Sequence, residues 1–179
     1  MTITQLDFSV LDWIQRTLGN PVADTIFPFI THLGDGGLIW ILLALTLIIL
    51  PRTRKTGIIL AISIASAAIV CLIIIKPLAA RARPFVQNPG FQLLIPPPYG
   101  FSFPSGHAAS SFAAASALFF RKSRLFVPAA VLAFLIAFSR LYVYVHFPTD
   151  VLAGMLIGLA AGAAVCRIDR KIQKDKKND

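Results

Sequence analysis

A chain of 179 residues, 56% hydrophobic and 14% charged with a mean hydropathy of +0.75, has the length of one domain and more apolar surface than a soluble domain of that size can bury. It reads as an integral membrane protein, which excludes a soluble globular fold. The net charge of +9 does not point to nucleic acid, because twelve of the 17 Lys and Arg fall in three clusters between or after apolar runs: Arg52, Arg54 and Lys55; Arg121, Lys122 and Arg124; and Arg167, Arg170, Lys171, Lys174, Lys176 and Lys177. No aromatic side chains interleave with them as a base-stacking surface requires. Clusters of this kind mark the cytoplasmic side, and the last is placed to touch anionic lipid.

The expected fold class is all-α, a polytopic bundle of about six transmembrane helices with an N-terminal amphipathic helix in the interface. Residues 4 to 18 put Leu6, Val10, Trp13, Ile14 and Leu18 on one helical face, with Asp7, Asp12 and Arg16 elsewhere. Residues 20 to 34 are apolar but short, with Pro21, Pro28, Asp24 and His32, so they either cross the membrane or only dip into it. Residues 36 to 50 form a better span, and residues 56 to 77 run from the first basic cluster outward to Lys76. No basic stretch with an apolar run and cleavage site opens the chain, so no removable signal peptide is expected.

A loop of about 25 residues follows, with Arg81, Arg83-Pro84, Asn88-Pro89-Gly90 and Pro96-Pro97-Pro98, too broken for a helix. The next span begins at Pro104-Ser105-Gly106-His107 and returns inward on small residues that permit close helix approach. Residues 125 to 142 travel outward to Arg140, and residues 148 to 166 go back with Gly154, Gly158 and Gly162 at a spacing of four. One membrane-embedded domain results: an interfacial helix over 1–19, a transmembrane core over 20–167 and a basic cytoplasmic tail over 168–179. Cys71 and Cys166 fall in apolar segments and read as packed free thiols.

Ser139-Arg140 and His146-Phe-Pro-Thr-Asp150 stand out because ionisable groups beside a bilayer are expensive unless they pair or hold a ligand. Pro148 suits the first turn of a helix, which puts Asp150 in that turn and within reach of one imidazole nitrogen of His146, leaving the other free to attack. The cations on the outer side, Lys76, Arg81, Arg83 and Arg140, flank helix ends near His107, His146 and Asp150. With two helix N-termini they make a phosphate-sized anion site.

Together, Lys76-x6-Arg83-Pro84, Pro104-Ser105-Gly106-His107 and Ser139-Arg140-x5-His146-x3-Asp150 are similar to the three-part signature of the type 2 phosphatidic acid phosphatase family, over about residues 55 to 167. The resemblance implies a phosphatase that needs neither metal nor other cofactor. By motif, His146 would be the nucleophile that forms a phosphohistidine and Asp150 would orient it. His107 would protonate the leaving oxygen and then activate water. Lys76, Arg83, Arg140, Ser105 and Gly106 would hold the phosphoryl oxygens. The chain has no Glu and its eight Asp are scattered singly, so a dinuclear carboxylate site is hard to build.

Arg81 occupies a variable position of the first motif and reads as an interfacial anchor. Asp35 in Leu-Gly-Asp-Gly-Gly reads as a turn residue capping the next helix, and His32 as structural or interfacial. Tyr142 and Tyr144 pack or join an aromatic belt. The resemblance implies a lipid phosphate substrate at the outer face of a bacterial cytoplasmic membrane. Undecaprenyl pyrophosphate heads phosphatidylglycerophosphate and phosphatidic acid as candidates. The alternatives are a non-catalytic anion or lipid transporter and, more remotely, a vanadate-dependent haloperoxidase.

Overall fold

A computed structural model describes residues 2–178, and every regular element among them is helical. Helix α1 (Ile3–Leu18) opens with a capping box in which the Thr2 hydroxyl accepts from the Gln5 N–H and the Gln5 side chain accepts from the Thr2 N–H. Its inner face is Asp7, Leu11 and Ile14, while Leu6 and Trp13 stay exposed. Of the face expected from the sequence, Ile14 is buried with Val10 and Leu18 packed beside it, so the inner face is shifted rather than reversed, toward Asp7, whose partners lie in the site described below.

Helix α2 (Pro21–Leu33) starts at Asn20, whose side chain accepts from the Val22 and Ala23 N–H groups. A tight turn at Asp35–Gly37, with Gly36 and Gly37 at φ 59° and 72°, leads into α3 (Leu38–Ile49). α4 (Arg54–Ala68) continues through a more loosely wound stretch, Ile69–Ile75, into a single helical turn, α5 (Lys76–Ala79). The connection beyond is less broken than its prolines suggest: Pro84 starts another single turn, α6 (Pro84–Gln87). The remaining helices are α7 (Gly106–Phe120), α8 (Phe126–Tyr142) and α9 (Pro148–Asn178), the last carrying the basic tail as a direct extension.

By length and composition, Arg54–Gln87 and Pro148–Lys177 are each able to cross a membrane. The α2 and α3 segments pass the same test only as a pair bent by 44°, and α8 is apolar but shorter. Helix α7 forms the centre. Its Ala108, Ala109, Ala113, Ala114 and Ala117 are fully covered by α4, α8 and α9. Contact with α9 is close because the latter presents glycines. A Cβ on Gly158 would lie 2.3 Å from the Ala109 carbonyl oxygen, and one on Gly154 2.4 Å from that of Ser105. Trp40 donates its indole N–H to Ser111 Oγ at 2.9 Å, fastening α3 to the same helix. Cys71 and Cys166 are buried free thiols.

The basic clusters share one end of this bundle. Asp169 of α9 pairs with Lys55 of α4 at 3.0 Å and lies 3.6 Å from Arg121 after α7, while Arg170 donates to the Phe120 carbonyl. The other ends of these helices carry Lys76, Gly106, Arg140 and Pro148. At 1.5 Å per residue, the roughly 20 residues from Lys55 to Lys76 and from Pro148 to Asp169 span about 30 Å, the thickness of a hydrocarbon core, while α7 and α8 are shorter, at 15 and 17 residues.

Candidate active site

Three chain reversals build the site, one for each motif. At the first, α5 ends on Ala80 with left-handed backbone (φ 43°) and Arg83 is extended ahead of Pro84. At the second, Ser105 caps α7 by accepting from the Ala108 N–H, and its own N–H donates to the Asp150 carbonyl. At the third, Tyr144 (φ 60°) ends α8 and folds the chain back, so that the Val145 and His146 N–H groups both donate to the Arg140 carbonyl. That wrap explains the five-residue spacing between Arg140 and His146: one reversal brings the two side chains to the same end of the bundle.

The Tyr144 conformation is held by packing. Its ring stacks on Phe91 at 3.9 Å and its hydroxyl donates to Asp12, while the Tyr142 hydroxyl donates to Asp24 at 2.6 Å. Both tyrosines are fully buried, which decides for packing over an aromatic belt.

A cavity of about 260 Å³ lies where the reversals meet, lined by Lys76, Arg83, Gly106, His107, Arg140 and His146 together with Gly34, Gly36 and Gly37. A larger groove among Phe112, Phe119, Phe120 and Leu159, apolar but for Ser116, carries no ionisable group. His146 is buried, with Nδ1 3.5 Å from Asp150 Oδ2 and 3.4 Å from the Ser102 hydroxyl, which itself donates to Asp150. Asp150 lies behind the cavity and also accepts the Phe147 N–H at 2.8 Å, the reach of a third helical residue back to its cap. Its carboxylate therefore faces Nδ1 and leaves Nε2 toward the cavity, where the Arg83 guanidinium lies 3.3 Å away.

Burial favours the neutral imidazole of His146 in the α8–α9 connection, and Arg140 and Arg83 act the same way. Against the pull of Asp150, these hold its pKa well below the ordinary histidine value.

Arg83 is fixed by three backbone carbonyls, those of Gly100, Val145 and Tyr99 at 2.9, 3.0 and 3.1 Å. This is the task of the Pro/Gly-rich connection, which folds back to aim the cation. Arg140 donates from Nη1 to Thr31 of α2 at 2.5 Å, and its buried Nε has no hydrogen-bond partner among the described residues. Ser105 stands apart from Gly106 and His107 of the second motif: its buried hydroxyl caps α7 and is not part of the cavity wall.

Arg81 is not an interfacial anchor. Its guanidinium donates to Asp150 Oδ1, to Thr149 Oγ1 and to Asp7 Oδ2, each at 2.7 Å, and lies 4.0 Å over the Phe147 ring. Asp7, buried in α1, also accepts the Thr149 N–H and hydroxyl at 3.1 and 2.6 Å. Asp35 makes no cap for α3. Instead, one of its carboxylate oxygens meets His107 Nε2 at 3.0 Å and the other His32 Nδ1 at 2.8 Å.

Ser102, Thr31 and Asp7 were missed in the sequence because each acts across a long chain separation. Only the buried Asp7 left a trace, as a charge at a position two helical turns from Ile14.

The chain as a whole is similar to known proteins. The profile of the PAP2 superfamily matches residues 56–174. An undecaprenyl-diphosphatase of Sulfolobus acidocaldarius is 42% identical over 122 residues, 67% of this chain and 58% of that protein, so the chain spans less than two thirds of that relative. A decaprenylphosphoryl-5-phosphoribose phosphatase of Mycobacterium tuberculosis is 35% identical over 83% of this chain and 81% of its own length. The crystal structure of Aquifex aeolicus LpxE superposes with a TM-score of 0.81 at 28% identity, covering 93% of this chain and 99% of that one. A PAP2-type phosphatidylglycerolphosphate phosphatase of Bacillus subtilis superposes at 0.78 with 26% identity, covering 95% and 87%. By the matched profile, the shared fold and these relatives, the chain belongs to the PAP2 superfamily.

Proposed function

We propose that the chain hydrolyses a lipid pyrophosphate or phosphomonoester at the outer face of a bacterial cytoplasmic membrane, through a phosphohistidine on His146. The observation that carries this reading is the unpartnered Nε of buried Arg140 beside the cavity that His146 lines. A buried cationic donor without a partner is costly and calls for an anion. Lys76 and Arg83 add charge and the Gly106 start of α7 adds a helix N-terminus, a combination suited to the non-bridging phosphoryl oxygens. Ser105 acts through the cap that fixes that helix start.

His146 Nε2 attacks phosphorus, forming a P–N bond as the P–O bond to the leaving group breaks and His107 gives its proton to the leaving oxygen. Asp150 and Ser102 steady the imidazolium that develops on His146. In the second half, neutral His107 takes a proton from water, whose oxygen displaces His146 and releases phosphate.

Undecaprenyl pyrophosphate, converted to undecaprenyl phosphate, is the substrate we favour. Relatives named for undecaprenyl and decaprenyl lipids support a polyprenyl tail. Six spans, with α1 lying in the interface and the basic clusters on the cytoplasmic side, fit this orientation. The test is phosphate release from undecaprenyl pyrophosphate by detergent-purified protein in excess EDTA, with His146→Ala beside it. Loss of release in the variant supports the reading; equal release by both overturns it. Release from phosphatidylglycerophosphate alone keeps the mechanism and changes the substrate.

A further inference from the structure

We propose that Asp35 is a positioning residue for His107, holding its imidazole in place as the acid that protonates the leaving oxygen, with His32 holding Asp35 in turn. The inference rests on the phosphatase reading above and adds to it a pair of residues outside the three motifs. Its basis is geometric. Each oxygen of one carboxylate is committed to a different histidine, Oδ1 to His107 Nε2 at 3.0 Å and Oδ2 to His32 Nδ1 at 2.8 Å.

The local chain is built for this placement. Gly36 and Gly37 take left-handed backbone at the turn, which swings Asp35 to the cavity rim. Gly34 lets the His107 ring lie against bare backbone, since a Cβ there would be 2.7 Å from His107 Cδ2. The ring is thus confined on one side and tethered at Nε2, so Nδ1 is the nitrogen left to pass a proton to the substrate.

The surrounding charges explain why a carboxylate is needed. Arg140 of α8 bears on His107, and Lys76, Arg83 and His146 share its cavity. An imidazolium there would share its cavity with those cations, and Asp35 is the carboxylate that meets it, with the Thr31 backbone as a further hydrogen-bond partner. A carboxylate that accepts from the far nitrogen of a catalytic imidazole fixes the ring and stabilises its charged form. In the first half-reaction the proton passes from His107 to the leaving oxygen; in the second His107 regains one from water. No net proton crosses Asp35, which acts through His107 alone.

The experiment compares kcat/KM for an alkyl phosphate and for 4-nitrophenyl phosphate in Asp35→Asn. An alkoxide needs a proton to leave, whereas 4-nitrophenolate departs without one, so a defect confined to the acid falls on the alkyl substrate. The expected loss is about 10²-fold for the alkyl phosphate and less than about threefold for the nitrophenyl ester. His32→Asn is expected to show the same pattern more weakly, and Asp35→Asn added to His107→Gln to cost nothing further. Equal losses on both substrates, no loss on either, or an additive double variant would overturn the assignment. Wild type that releases phosphate from neither substrate, or a His146→Ala variant as active as wild type, would remove the phosphatase reading and the role of Asp35 with it.

Discussion

Arg81 Nη1 donates to Asp150 Oδ1 at 2.7 Å, and Nη2 of the same guanidinium donates to Asp7 Oδ2 at 2.7 Å. One cation thereby joins the carboxylate behind His146 to the N-terminal helix. Since Asp7 also holds both the N–H and the hydroxyl of Thr149, α1 is part of the scaffold that orients the His146–Asp150 pair.

Removing that cation leaves two buried carboxylates without it. Arg81→Ala is expected to destabilise the protein by about 3–5 kcal/mol and to lower kcat/KM by about 10²-fold through misplacement of Asp150. Arg81→Lys, which reaches one carboxylate but not both, should fall between. Thermal unfolding in detergent and steady-state kinetics on the three proteins check this; an Arg81→Ala protein with wild-type kinetics would contradict it.

Ser102 sits between His146 Nδ1 and Asp150 Oδ2. Its hydroxyl limits how the imidazole can turn, so Ser102→Ala is expected to lower kcat by about 10-fold, the worth of a hydrogen bond to a charged group, with KM little changed. A variant that raises KM instead would place Ser102 in substrate binding.

The His146 imidazole is held well below its ordinary value of 6.5. Its neutral form is favoured in the folded protein, so its contribution to stability is complete above pH 6.5 and is lost as pH falls below that value toward the folded pKa. The acid limb of kcat/KM is accordingly expected below pH 6.5, since the nucleophile must be unprotonated. Wild type should also lose more thermal stability than His146→Gln between pH 7 and about pH 5. An equal loss in both proteins would contradict the environment described for His146.

Gly158 faces the Ala109 carbonyl with no room for a Cβ, which would lie 2.3 Å from that oxygen. Gly158→Ala is expected to cost about 1–3 kcal/mol by overpacking and to reduce activity as well, because the α7–α9 contact sets Gly106 and His107 against His146. A variant with unchanged melting temperature would show that the two helices can part without consequence.

The sequence alone determined the membrane setting, the family and the three groups of residues that converge. Hydropathy and charge clusters are local quantities, and the spacings within Lys76-x6-Arg83 and Arg140-x5-His146 are fixed by single chain reversals. It also determined the close face of α9, because glycines four apart align on any helix. What it left open were interactions whose partners lie far apart in the chain. The apolar pattern of α1 named Leu6, Val10, Trp13, Ile14 and Leu18, yet Leu6 and Trp13 stay exposed and the buried face carries Asp7 beside Ile14, since Arg81 and Thr149, 74 and 142 residues away, offer that carboxylate hydrogen bonds. The same holds for Asp35, a turn residue by composition, which has His32 three residues before it but meets His107, 72 residues on, only where the α2–α3 turn lies beside α7. Tertiary structure decided these cases because a buried ionic group is placed by its partners, and sequence periodicity reports only the solvent or lipid on either side.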